Sequence, residues 1–216
     1  MSLIVDGTTG LTLPGSSSGT TVLQAAASAS GTLTLPATTD TLVGKATTDT
    51  LTNKSIAATQ LTGTIAAARL PAGSVAQVVS TAYNTAIVST SGTLVQIAGL
   101  ATAITLATNT NKVLVRVVLG CIANGSSTGA FFQLRRGGAQ IGSTYAGWFY
   151  DNAPGDTGGS MAFEYLDSPA STSALSYDLY WGADANGYSI FLNRTSTNST
   201  NEKGSATMTL MEIVAS

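Results

Sequence analysis

Lys112-Val113-Leu114-Val115-Arg116-Val117-Val118-Leu119-Gly120-Cys121-Ile122 is the stretch on which the fold turns. Branched apolar residues dominate it. Turn formers flank it, Asn109-Thr110-Asn111 before and Asn124-Gly125 after. Val and Ile suit a pleated, half-buried surface better than a helix. So continuous an apolar run predicts a central strand, or one covered on both faces with the help of a partner subunit. Cys121, the only cysteine, lies within the run and reads as a buried, inert thiol. No disulfide can form within the chain.

Working outward, strand signals recur at short intervals from Val75 onward. The candidates are Val75–Thr81, Thr93–Ala98, Ala103–Leu106, Lys112–Ile122, Ala130–Arg135, Tyr145–Tyr150, Met161–Leu166, Ser176–Trp181, Ser189–Arg194 and Ala206–Val214. Between them stand Gly92, Gly99, Gly137-Gly138, Pro154-Gly155, Asp167-Ser168-Pro169 and Asn186-Gly187. Many short strands at such spacing predict an all-β sandwich or barrel. The reading adopted is a jelly-roll-like head of two packed antiparallel sheets. Asn-Gly at 124–125 and 186–187 favours tight hairpins.

Toward the N-terminus the chain changes character. No aromatic residue precedes Tyr83. The first eighty or so residues are mainly Thr, Ser, Ala, Gly and Leu, with short repeated motifs. Leu11-Thr12-Leu13-Pro14 returns as Leu33-Thr34-Leu35-Pro36. Thr38-Thr39-Asp40-Thr41-Leu42 returns as Thr47-Thr48-Asp49-Thr50-Leu51. Alternation of apolar and polar residues there argues short strands. Such a stretch buries little area by itself, at roughly 25 cal/mol per Å² of apolar surface. It predicts an extended arm that borrows its core from other chains. Residues 56–70 read as a short helical turn or an irregular linker. Pro71-Ala72-Gly73-Ser74 reads as the hinge, dividing an arm, 1–73, from a β-sandwich knob, 74–216.

Composition narrows the function. Only 9% of residues are charged, against a usual quarter or so, and 44% are hydrophobic. That is not the balance of a disordered chain; it suits one that hides surface in an assembly. A net charge of -2 argues against an electrostatic grip on nucleic acid. Arg135-Arg136, the one basic pair, reads as a solvated strand end. No apolar stretch reaches the eighteen or so residues of a membrane helix, so no membrane insertion is expected. Met1-Ser2-Leu3-Ile4-Val5-Asp6 lacks the features of a signal peptide, which predicts a chain made in a cytoplasm and left intact.

Catalytic chemistry is sparse. The chain has no histidine. That removes the Ser-His-Asp and Cys-His arrangements and the commonest metal ligand. Gly155-Asp156-Thr157-Gly158-Gly159-Ser160 is superficially similar to a serine-protease loop, but Thr157 stands where the nucleophile would be and has no base. Asp151, Asp156, Glu164 and Asp167 gather locally. Two of them would form a glycosidase pair if folding brought them within about 5–9.5 Å, or several would hold a cation. Their plain reading is solvated loop acids. No cofactor is expected.

Tyr145-Ala146-Gly147-Trp148-Phe149-Tyr150 is the densest aromatic cluster. Strand alternation puts Tyr145, Gly147 and Phe149 on one face and Ala146, Trp148 and Tyr150 on the other. One face is core. The other reads as core too, or else as a sugar-stacking or subunit-contact surface. Trp148, Tyr150, Trp181 and Tyr188 are the candidate receptor contacts.

The order of several motifs resembles the tailed-bacteriophage fibre proteins. These are Asp6-Gly7-Thr8-Thr9-Gly10-Leu11 at the start, and Gly31-Thr32-Leu33-Thr34-Leu35-Pro36 followed by Thr41 to Lys54. Further on come Leu70 to Val79, Tyr165-Leu166-Asp167-Ser168-Pro169-Ala170, and Thr207 to Ile213 near the close. The resemblance implies a homotrimer with interwoven arms and a jelly-roll knob, similar in shape to the tumour-necrosis-factor family. It implies a virion component, made in a bacterial cytoplasm, with no enzyme activity. Leu3, Val5, Leu11, Leu13, Leu33, Leu35, Leu42 and Leu51 are then the expected trimer and anchor contacts, each burying apolar surface against sister chains or other virion proteins. The expected task is host attachment, through a surface polysaccharide or an outer-membrane protein. The chain is short for a tail fibre, which keeps open a capsid decoration or head-fibre protein whose arm grips the shell. A polysaccharide depolymerase using Asp156 or Glu164 is the enzymatic alternative.

Overall fold

The computed structural model describes residues 11–14, 18, 20–23, 55–57, 59, 62–63, 65–124, 128–151, 157–195 and 204–215. The chain divides into two compact units, 1–61 and 62–216. The sequence puts that division at 73/74. Gly73 instead donates its N–H to the Val214 carbonyl at 2.8 Å, and the Val214 N–H returns to Ser74 at 2.9 Å. The expected hinge is thus bonded to Val214, the residue that follows the last strand of the sandwich. Within the stretch expected as a helical turn or linker, the described residues include the 3-10 turn Ala67–Arg69.

In the first unit, β1 (Leu11–Pro14) pairs antiparallel with β2 (Thr20–Leu23), with Leu11 opposite Leu23. An isolated two-stranded ribbon is marginal in water. Leu3, Val5, Leu33, Leu35, Leu42 and Leu51 lie outside the described residues, as do the side chains of Leu11 and Leu13.

The second unit holds β3 (Val75–Tyr83), β4 (Ile87–Ser89), β5 (Val95–Gln96), β6 (Thr102–Ile104), β7 (Lys112–Asn124), β8 (Thr128–Arg136), β9 (Ala139–Gln140), β10 (Gly147–Asp151), β11 (Thr157–Asp167), β12 (Leu175–Ala183), β13 (Ile190–Leu192) and β14 (Ala206–Ile213). They form two six-stranded sheets in which every pairing is antiparallel. Several short strands are segments of one broken line. On β7, β11 occupies one edge, while β14 and then β13 occupy the other. On β8, β12 takes one edge, with β10 and β9 on the other. Each sheet is therefore four strands wide: β11, β7, β14/β13, β3/β4 in one and β10/β9, β8, β12, β5/β6 in the other. Numbering these lines along the chain, the first lies beside the eighth, the second beside the seventh, the third beside the sixth and the fourth beside the fifth. A long hairpin rolled up in this way is a jelly roll.

The alternation that marked each strand now has a cause. Val113, Val115, Val117 and Leu119 face the core from β7, while Arg116 on the other phase is exposed. The strand is central in its sheet and buried on one face only. Opposite it, Phe132 and Leu134 from β8 and Tyr177, Leu179 and Trp181 from β12 fill the space between the sheets. A bulge follows Leu119: it faces Met161, but the next paired residue, Ile122, faces Gly159. The extra residue lets the strand pass from β14 to β13.

Two turn readings need correction. Asn124-Gly125 and Asn186-Gly187 join strands of different sheets, so neither closes a hairpin. The tight hairpin is Gly137-Gly138, both at positive φ, between Arg136 and its pairing partner Ala139. Asn-Gly permits a turn, but the burial of the flanking strands decides what that turn connects. Among the described residues no helix is long and apolar enough to cross a membrane.

Candidate functional site

The outer face of the β8-containing sheet carries the chemistry. In register, Trp148 lies opposite Phe131 and Tyr150 opposite Gly129. Phe131 and Tyr145 stack with ring centroids 4.8 Å apart. Phe131 to Trp148 is 5.8 Å, and so is Trp148 to Tyr150. Four rings thus make one continuous strip. Trp148 is 61% exposed, Tyr145 49% and Tyr150 48%. The alternation expected of 145–150 holds only from Gly147, where β10 begins; Tyr145 precedes the strand and turns to the outer side. Gly147 and Phe149 face inward, so the second face is not core.

Gly129 shapes the strip. A Cβ there would stand 2.7 Å from Trp148 Nε1 and 3.3 Å from the Tyr150 ring. With no side chain at 129, the indole edge settles directly on the β8 backbone.

Polar groups continue the same face. Arg135 lies 3.9 Å from the centre of the Tyr180 ring. Its Nε–H donates to Gln133 Oε1 at 2.7 Å. Gln133 Nε2 donates to Gln140 Oε1 and to the Thr144 carbonyl, both at 3.0 Å. Gln96 Nε2 donates to Asp178 Oδ1 at 2.9 Å. These planar groups hold one another in place beside the rings.

Of the four candidate receptor contacts, Trp148 and Tyr150 share the strip. Tyr188 stands exposed between β12 and β13, and among the described residues no ring contact links it to them. Trp181 is a correction: it is 2% exposed and belongs to the core. On β12 it shares a phase with Tyr177, Leu179 and Ala183, all buried. Phe131 and Tyr180 were not singled out by the sequence, and Tyr145 and Arg135 were not among its candidate contacts. Phe131-Phe132 sits on a strand whose inward phase only packing reveals.

Glu164 and Asp167 do not converge. They lie an odd number of residues apart on β11 and point to opposite faces. Glu164 pairs with Arg116 at 3.4 Å on the exposed face. Asp167 is buried, ion-paired with Arg136, and accepts the Tyr177 hydroxyl at 2.6 Å. Asp167 is therefore not the solvated loop acid expected, whereas Arg136, at the end of β8, stays partly exposed. The side chain of Asp151 and the whole of Asp156 lie outside the described residues. Among the described residues no group of three His, Cys, Asp or Glu gathers to hold a metal.

Burial, reinforced by the Asp167 carboxylate, pushes the Tyr177 hydroxyl far above its usual value of 10.0. An unfolded chain loses that proton near pH 10, whereas the folded chain keeps it. The contribution is whole below pH 10 and declines above it, at about 1.4 kcal/mol per pH unit. Denaturant melts at pH 9, 10 and 11 are expected to show this loss, and Tyr177→Phe should flatten that part of the profile. Equal slopes in both proteins would contradict it.

No protein-family model matches the chain, and no curated protein does. Among solved structures, the chain is similar to a mutant VP2 protein of infectious bursal disease virus, at 14% identity and a TM-score of 0.33, over 64% of this chain and 36% of that one. The Gt strain of that virus gives 12% identity and a TM-score of 0.34, over 64% and 38%. The viral particle of the same virus gives 13% and 0.34, over 65% and 36%. This chain therefore spans little more than a third of the chains it matches. Likenesses this slight carry no inference about its function.

Proposed function

We propose that the chain is a non-enzymatic structural protein of a tailed-phage virion, a homotrimeric fibre whose arm anchors it and whose knob meets the host surface. The observation that carries this reading is the jelly-roll knob with an aromatic strip on its outer face. A lone surface aromatic is ordinary, but contiguous exposed rings mark contact surfaces. The aromatic-free first unit supports a separate anchoring role, since a thin ribbon gains stability only against partners. Jelly rolls serve both shells and lectins, so a capsid decoration protein remains the second reading by fold analogy.

Quantitative mass spectrometry of purified particles, against the major shell protein, tests this. A few tens of copies or fewer, in multiples of three, are expected for a fibre. Hundreds would make it a decoration protein. Absence from the particles would end the virion reading.

A further inference from the structure

We infer that the strip of Tyr145, Phe131, Trp148 and Tyr150, with the polar row beside it, binds a neutral glycan chain. The inference rests on the attachment reading of the knob for its setting, but stands on the geometry of this one face.

Three features point to sugar rather than to a protein. The first is size. Aromatic side chains offer about 150–250 Å² each. At the exposures of Tyr145, Trp148 and Tyr150 the strip presents roughly 250–400 Å². A stable protein interface takes about 800 Å² from each partner. The strip falls short of a second copy of this chain but matches a small ligand.

The second feature is rigidity. Each ring touches the next, and the Trp148 indole rests on Gly129. The platform is ordered before a ligand arrives, so binding loses less entropy. A pyranose offers a flat C–H face to such rings.

The third feature is the neighbouring polarity. A sugar's hydroxyls seek planar donors and acceptors at its rim. Arg135 and Gln140 supply these on the same face, both held in place by the buried Gln133 between them. Asp178 lies opposite Arg135 in register, so their charges offset. The strip itself carries no charged side chain, which leaves little to hold a polyanion.

The full-length protein would be tested on an array of bacterial surface polysaccharides, neutral and acidic, with titration calorimetry on the best binder. At least one neutral glycan should bind. Trp148→Ala and Tyr150→Ala should each weaken it about tenfold or more. Gly129→Ala, which lifts the indole, should weaken it too, while Glu164→Gln on the other sheet should not. Affinity should change less than about twofold between roughly 0.05 and 0.5 M salt, since no ion pair is involved. A blank array, or wild-type affinity in Trp148→Ala, would overturn the inference. So would a change of oligomeric state on that substitution, which would make the strip a subunit contact. These results are separate from the particle count: glycan binding by a protein absent from virions would leave this inference standing and remove only its setting.

Discussion

Trp181→Ala is expected to lower the free energy of unfolding by about 3–5 kcal/mol, whereas Trp148→Ala should change it by no more than about 0.5 kcal/mol. The two tryptophans both sit mid-strand beside glycine, Trp181-Gly182 and Gly147-Trp148. Their environments are opposite. Trp181 is among the largest fully enclosed side chains and stands between the sheets with Phe132 and Leu179. Its removal leaves a cavity that a rigid two-sheet core closes only in part. Trp148 lies on the outer face, 61% exposed, so little packing is lost. Chemical denaturation of both variants measures the difference directly. Similar losses would mean that the inward phase of β10 or β12 is misassigned. For a domain whose total stability is about 5–15 kcal/mol, the Trp181 variant should be near its folding limit.

Glu212→Ala should cost about 3–5 kcal/mol. Glu212 is 1% exposed and falls on the core-facing phase of β14 with Ala206, Met208 and Leu210. No cation pairs with it among the described residues. Three donors satisfy it instead. Asn111 Nδ2 donates to Oε1 at 2.6 Å, the Ala107 N–H to Oε1 at 2.8 Å, and Gln77 Nε2 to Oε2 at 2.6 Å. Asn111 in turn accepts the Ala215 N–H at 3.1 Å. This network ties the loop before β7 to the last strand. Alanine would leave the buried Asn111 amide, and two part-buried donors beside it, without their acceptor. Glu212→Gln should cost only about 1 kcal/mol, because its carbonyl still accepts from Asn111 and Ala107 and Gln77 can turn its amide around. Hydrogen exchange at Ala107 should quicken sharply in the alanine variant and modestly in the glutamine one. Unchanged exchange in both would show that the loop is held by other means.

Much of the sandwich was legible as pattern. Ten strand candidates were read from apolar runs and turn residues, and each overlaps a strand of the second unit. The omissions are short: β4 is three residues and β9 two, too brief to establish a period. The aromatic boundary before Tyr83 was equally plain, because composition needs no register. What the sequence misjudged was direction. Trp181 was read as a candidate surface contact, and Asp167 as solvated. Asn-Gly steps were read as hairpins, yet they link the two sheets.

By itself, then, the sequence determined that this is an all-β chain with an aromatic-poor first part, no histidine chemistry and a strand-rich remainder. Alternation and turn chemistry are local, so they can be read from neighbours in the chain. Only the tertiary structure decided which phase of each strand meets the other sheet, and so which rings line the outer face. That choice depends on contacts between lines far apart in sequence, such as β7 with β11 and β8 with β12. It is also why Phe131 joins Trp148 on the surface while its neighbour Phe132 joins Trp181 in the core.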